Sequence, residues 1–163
     1  MKKLLGLLSV GLLIVFPVLA HAQLDFTLDP AAQAGKPGDT LTFTGTLKNT
    51  GTTTLFLNGD NFTLPGTGLS LDDTAFLTGA PLSLDGGESY TGPFFDILFD
   101  PNAPPQSVSG TFSVLGGADE NALDTLASQN FGVAVVPEPM ASLNLLMGLG
   151  LLGSRGWRRV RKR

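Results

Sequence analysis

Residues 40–48 alternate without a slip. Leu41, Phe43, Gly45 and Leu47 fall on one side of an extended chain, and Thr42, Thr44, Thr46 and Lys48 fall on the other. That two-residue period belongs to a strand with one buried face, since a helix would scatter the same residues around its axis. The pattern recurs in Leu24–Leu28, in Ser89–Phe99 with Phe95, Ile97 and Phe99 on one side, and in 107–115 with Val108, Phe112 and Val114. Shorter apolar runs lie at 54–57, 61–64, 82–84 and 130–136. Between them stand clusters of turn-forming residues: Pro37-Gly38-Asp39, Asn49-Thr50-Gly51, Asn58-Gly59-Asp60, Asp85-Gly86-Gly87 and the loop 101–105. Glycine and proline set the unusual φ angles of such turns, and Asn and Asp bond to their own backbone there. Asn58-Gly59-Asp60 predicts a hairpin joining 54–57 to 61–64.

Residues 23–136 thus predict an all-β domain of seven or eight strands, with the turn spacing of an immunoglobulin-like sandwich. One short helix is expected over 119–128, with Leu123 and Leu126 as its apolar face. The stretches Pro37-Gly38-Asp39-Thr40 and Lys48-Asn49-Thr50-Gly51, and Asn102-Ala103-Pro104-Pro105 ahead of Gly110-Thr111-Phe112, resemble secreted immunoglobulin-like repeats of bacterial surface proteins. No cysteine pair or buried tryptophan is present, so the domain is not antibody-like.

Both ends depart from this composition. Lys2 and Lys3, an apolar run over 4–15 and the small-x-small triplet Ala20-His21-Ala22 have the three parts of an export signal, cut after Ala22. Pro17 ends the helical run ahead of the cut. The apolar run is shorter than the ~20 residues an anchor needs, which favours cleavage over a permanent N-terminal helix. At the other end, residues 137–163 begin with Pro137-Glu138-Pro139 and continue with a leucine-rich run over 140–153. They close with Arg155, Trp157, Arg158, Arg159, Arg161, Lys162 and Arg163. Fourteen helical residues reach roughly 21 Å, and snorkelling by Arg155 extends that, so this helix crosses a bilayer at the margin. With positive residues held inside at both ends, everything between would lie outside the cytoplasm.

The order Pro-Glu-Pro, apolar helix and terminal arginine cluster resembles the PEP-CTERM sorting signal. The resemblance implies a membrane-embedded exosortase that cuts near Pro137, Glu138 and Pro139, with Arg155, Arg158, Arg159, Arg161, Lys162 and Arg163 as the stop on the cytoplasmic side. It implies sorting to the cell surface or to an extracellular polysaccharide matrix. A simple permanent anchor is the alternative for this tail; a nucleic-acid-binding basic tail is disfavoured, because an apolar helix right before the charges has no part in it.

Composition narrows the chemistry of the body. Cysteine is absent, and the single histidine, His21, lies in the export signal. Disulfides, zinc-thiolate sites, cysteine nucleophiles and histidine bases are therefore excluded from 23–136. This stretch holds thirteen acidic residues against Lys36 and Lys48, a net charge of −11. Such a body repels nucleic acid and anionic lipid, which bind through Lys and Arg. Carboxylate pairs are the remaining catalytic option, with Asp72/Asp73, Asp96/Asp100 and Asp119/Glu120/Asp124 as candidates. Acidic side chains in turns ordinarily serve the local backbone.

Calcium would draw on the same residues. Asp119 and Asp124 are its best candidates, although their spacing is not that of an EF-hand loop and capping of the expected helix accounts for Asp119 and Glu120. Asn61-Phe62-Thr63 fits a glycosylation triplet but reads first as part of a strand. The sequence therefore predicts an exported, non-catalytic structural or interaction protein. Its expected partners are signal peptidase, an exosortase-like enzyme and extracellular polysaccharide or surface proteins. A carbohydrate- or calcium-binding surface module is the alternative.

Overall fold

A computed structural model describes residues 23–137. The expected signal helix and transmembrane-like tail helix, with Ala20, Ala22, Glu138, Pro139 and the basic cluster from Arg155 onward, lie outside the described residues. The elements in chain order are β1 (Leu24–Leu28), β2 (Ala32–Gly35), β3 (Thr40–Asn49), β4 (Leu55–Thr63) and β5 (Leu69–Asp72). Then follow α1 (Thr74–Gly79), β6 (Ser83–Leu84), β7 (Ser89–Phe99), β8 (Gln106–Gly117) and β9 (Asp124–Val135). They form a sandwich. One sheet has the order β1-β3-β7-β5 and the other β2-β9-β8-β4-β6. Neighbours pair antiparallel except β2 and β9, which run parallel.

The alternation seen in residues 40–48 is realised as burial. Phe43 and Leu47 are fully enclosed, while Thr42, Thr44 and Lys48 face water. Phenylalanines dominate the core. Phe95 stacks on Phe43 and Phe112 at centroid distances of 4.8 and 4.9 Å, and Phe131 tilts against both Phe43 and Phe95. Each such side chain contributes roughly 1.5–3 kcal/mol by leaving water. Two glycines make this packing possible. A Cβ on Gly45 would collide with the Thr27 carbonyl of the neighbouring strand, and one on Gly110 would collide with the Phe131 ring.

Four local expectations need correction. The helix expected over 119–128 does not form: residues 118–123 turn, and β9 starts at Asp124. The hairpin at Asn58-Gly59-Asp60 is instead a bulge within the continuous strand β4, opposite Leu115–Gly116 of β8. Strand pairing wins in both places because β8 offers a long partner on each side. Strands β2 and β5 were not expected and bring the number among the described residues to nine. The helix that does form, α1, follows β5. It closes one open side of the sandwich by stacking Phe76 on Phe94 at 5.5 Å.

Asn49 is the one buried polar side chain among the described residues. Its amide donates to the carbonyls of Thr53 and Leu84 at 2.8 and 2.9 Å, and its oxygen accepts from the Gly51 N–H at 2.9 Å. The turn anticipated at 49–51 is thereby tied to β6.

Candidate functional site

The acidic clusters picked out in the sequence resolve differently in three dimensions. Asp96 and Asp100 lie four residues apart along or just beyond a strand, roughly 13 Å, and do not pair. Asp100 serves a turn, with Ala103 N–H donating to its carbonyl at 2.9 Å. Asp96 stands on the outer face of its sheet, in register with Thr42 and Asp72, and its Oδ1 is enclosed without a hydrogen-bond partner. Asp119 accepts the Asn121 N–H on its carboxylate at 2.9 Å, and its carbonyl accepts the Asn58 amide at 2.9 Å. It therefore pins a turn and caps no helix. No group of three or more acidic side chains among the described residues is placed to hold a metal ion, so Asp119 and Asp124 gain no third ligand.

Asp72 accepts from Thr74, whose side chain and backbone N–H hold the Asp72 carboxyl below the usual carboxylate range. Asp73, its sequence neighbour, stands at the N-cap of α1 yet makes no side-chain cap. Its carboxyl meets Asp60 instead. Asp60 lies opposite Val114 in β4, which turns its side chain toward the core side of the sheet. Burial first, then the charge and hydrogen bond of Asp73, push Asp60 up to about 6. Two carboxyls at close quarters cannot both ionise freely, and loss of water raises the cost further. This pairing joins β4 to the start of α1. Sequence reasoning missed Asp60 because it read the residue as part of an exposed turn.

Next to this pair lies a groove of about 350 Å³ between β4, α1 and the chain leading to β6. Phe56, Leu57, Phe76, Leu77 and Leu82 supply its apolar lining. Leu77 and Leu82 are 56% and 82% exposed. No helix among the described residues is long and apolar enough to cross a membrane.

The two outer faces differ in charge. The strands of the four-stranded sheet carry Asp25, Lys48, Asp72 and Asp96, each directed outward or half-outward. The five-stranded sheet has only Asp60, turned inward, and Asp124, at the first residue of β9. Its outer surface is built mainly from hydroxyl, amide and small side chains, with Phe56 of β4 and Leu115 of β8 half-buried among them. Ser113 bonds to Ser128 at 2.8 Å and Thr111 to Asn130 at 3.0 Å across β8 and β9. Asn61 and Thr63 of the glycosylation triplet extend these rows on β4, opposite Ser113 and Thr111.

No protein-family model matches the chain, and no curated protein matches it. It is similar to a chain of the CaDoc0917–CaCohA2 complex at 15% identity and a TM-score of 0.45, over 69% of this chain and 99% of that one. It is also similar to the ASH/PapD-like domain 7 of human CEP192 at 14% identity and a TM-score of 0.41, over 82% and 100% of the two chains. The Vibrio cholerae VesB protease gives 17% identity and a TM-score of 0.36, over 72% of this chain and 32% of that one. Scores of this size bear on neither activity nor partner. The two-sheet architecture rests on the strand pairing itself.

Proposed function

We propose that the protein is an exported, non-catalytic structural or interaction module, sorted by an exosortase-like enzyme to the cell surface or the extracellular polysaccharide matrix. The observation that carries this reading is where the folded body starts and stops. Strand β1 begins at Leu24, two residues beyond the Ala20-His21-Ala22 triplet. Strand β9 ends at Val135, and the Val136 N–H still donates to the Gly35 carbonyl at 2.8 Å. Pro137-Glu138-Pro139 follows at once. Cuts at these two triplets leave every strand pair intact, so signal peptidase and the sorting enzyme would release a complete sandwich.

The ends of the body also suit delivery. Leu24 pairs with Asn49, beside Glu88 just ahead of β7, whereas Val135 pairs with Gly35, which packs against Phe99 at the other end of that strand. The sorting tail thus leaves from the end of the sandwich opposite the export signal. In the membrane-held precursor the groove, beside the 117–124 turn and far from Val135, would project outward.

A non-catalytic role fits a body without histidine or cysteine, whose Asp60–Asp73 pair is half-buried beside Val114 and Phe76. Replacing Pro137, Glu138 and Pro139 together with alanine tests the sorting step. Accumulation of the variant in the inner-membrane fraction is the expected result, and release equal to that of the unaltered protein would overturn the assignment.

A further inference from the structure

One side of the sandwich is closed by a helix rather than a strand. Strand β5 pairs with β7 only over Asp96–Phe99, and β6 pairs with β4 only over Leu55 and Phe56. Beyond these short strands α1 fills the gap between the sheets. Its one buried side chain, Phe76, stacks on Phe94 of β7 at 5.5 Å and meets Phe112 of β8 edge-on at 5.8 Å. The helix itself is weak. Six residues close few hydrogen bonds: the Phe76 and Leu77 N–H groups donate to the Asp73 carbonyl, and the Ala80 N–H to that of Phe76. A helix this short does not persist without tertiary contacts.

The other walls of the groove are fixed. The Asn58 amide donates to the carbonyls of Asp119 and Ala122 at 2.9 and 2.8 Å, which ties β4 to the 118–123 turn. The Leu57 N–H donates to the Leu82 carbonyl at 2.9 Å and ties β4 to the chain that leaves α1. The first turn of α1 has no such tie except at Asp73. There the Asp60 carboxyl, directed to the core side opposite the fully buried Val114, meets the Asp73 carboxyl.

A proton decides whether that contact attracts or repels. With a proton on Asp60, its carboxyl donates to Asp73. Without one, two negative charges face each other in a half-dry space. Nothing beside them neutralises the pair. Strands β6 and β8 and helix α1 carry no charged side chain, and Asp60 is the only one on β4. Asp72 is turned to Thr74, Asp96 stands on the outer face of β7, and Glu120 adds a further carboxylate to the groove lining. Of the two lysines in the body, Lys36 follows β2 and Lys48 lies opposite Ser89 on the outer face of β3.

We propose that α1 is a proton-controlled flap: a proton held between Asp60 and Asp73 keeps it closed on β4, and loss of that proton lifts its first turn and widens the groove. The closed form prevails at low pH, and the flap opens as pH rises through about 6, where Asp60 titrates. The hinge is the chain after Ala80, held by the Leu57–Leu82 bond. This device does not depend on where the protein is delivered, and its test is independent of the Pro137–Pro139 replacement.

The chain has no cysteine, so spin labels can be placed at will. Thr78→Cys on α1 with Thr63→Cys on β4 reports the flap, and both positions are exposed. Thr42→Cys with Thr63→Cys spans the two sheets without α1 and serves as the reference. Pulsed electron paramagnetic resonance should show a longer Thr78–Thr63 separation whose fraction rises at least about threefold between pH 5 and pH 7.5, since each unit of pKa displacement is worth a factor of ten. The midpoint should lie near 6, and the reference separation should stay constant. In Asp60→Asn the longer fraction should remain at its pH 5 level throughout, and Asp73→Asn takes its place if that variant does not fold. A separation that ignores pH, the same change in Asp60→Asn, or a parallel change in the reference pair would overturn the inference.

Discussion

The four-stranded sheet brings Phe26, Phe43, Phe94, Phe95 and Phe99 to the core and shows Asp25, Lys48, Asp72 and Asp96 on or near its outer side. The five-stranded sheet brings mostly aliphatic side chains, Leu55, Leu57, Val114, Val133 and Val135, around Phe112 and Phe131, and its outer side is neutral. Both sheets alternate over most of their length, although β7 buries the adjacent Phe94 and Phe95 where its register with β3 shifts. What differs is the choice of polar residue. Charged side chains are tolerated on a solvated strand, and here they stand on the outer side of one sheet and not of the other.

The largest effect is expected where the two sheets meet. Phe112 touches Phe26, Phe76, Phe94 and Phe95. Phe112→Ala should cost about 3–5 kcal/mol in denaturant unfolding, because the four rings around it cannot close the space left. A loss below about 1 kcal/mol would mean that the aromatic cluster does not join the sheets as described. Asn49→Ala comes next. It strands the Thr53 and Leu84 carbonyls and the Gly51 N–H, and should cost about 2–3 kcal/mol in the same measurement.

Asp60 acts in the opposite direction. Its pKa is raised in the folded state, so the ionised form destabilises the fold. Stability should fall as pH rises from about 4 to about 6, and the penalty should be fully present above that window. Asp60→Asn should therefore stabilise the protein at pH 7 by about 1–2 kcal/mol, after allowance for partial exposure to water, and should flatten the pH dependence of the melting temperature in that window. A variant that melts lower at pH 7 would refute the raised pKa that burial, and then Asp73, impose on this carboxyl. The smallest effect belongs to the outer faces: Thr42→Asp and Ser109→Asp should each change stability by no more than about 1 kcal/mol, because both positions are exposed.

How much of this was legible in the sequence depended on the length of each pattern. The strands β1, β3, β7 and β8 carry long alternations of large apolar and polar residues, and their boundaries were readable to within about two residues. Strand β2, Ala-Gln-Ala-Gly, has no β-forming side chain and exists because β9 pairs with it in parallel. Leu123 and Leu126, three apart after acidic residues, imitate a helical face; yet Leu123 is 67% exposed and only Leu126 packs on the core. Asn58-Gly59 carries a hairpin signal, and the register of β4 with β8 absorbed it as a bulge. Helix α1 went unread because six residues give no periodicity to detect, and Asp72 and Asp73 ahead of it read as a carboxylate pair. The Asp60–Asp73 contact joins the middle of β4 to the N-cap of α1, thirteen positions on, and had no local signal at all.

On the proposed function, the sandwich is delivered outside the cytoplasm after both terminal segments have been removed. Intact-mass analysis of the protein recovered from outside the cells tests it directly. The expected species starts at Gln23 and ends close to Pro137-Glu138-Pro139, without residues 140–163. A cytosolic species that retains residues 1–22, or a released one that retains 140–163, would contradict it.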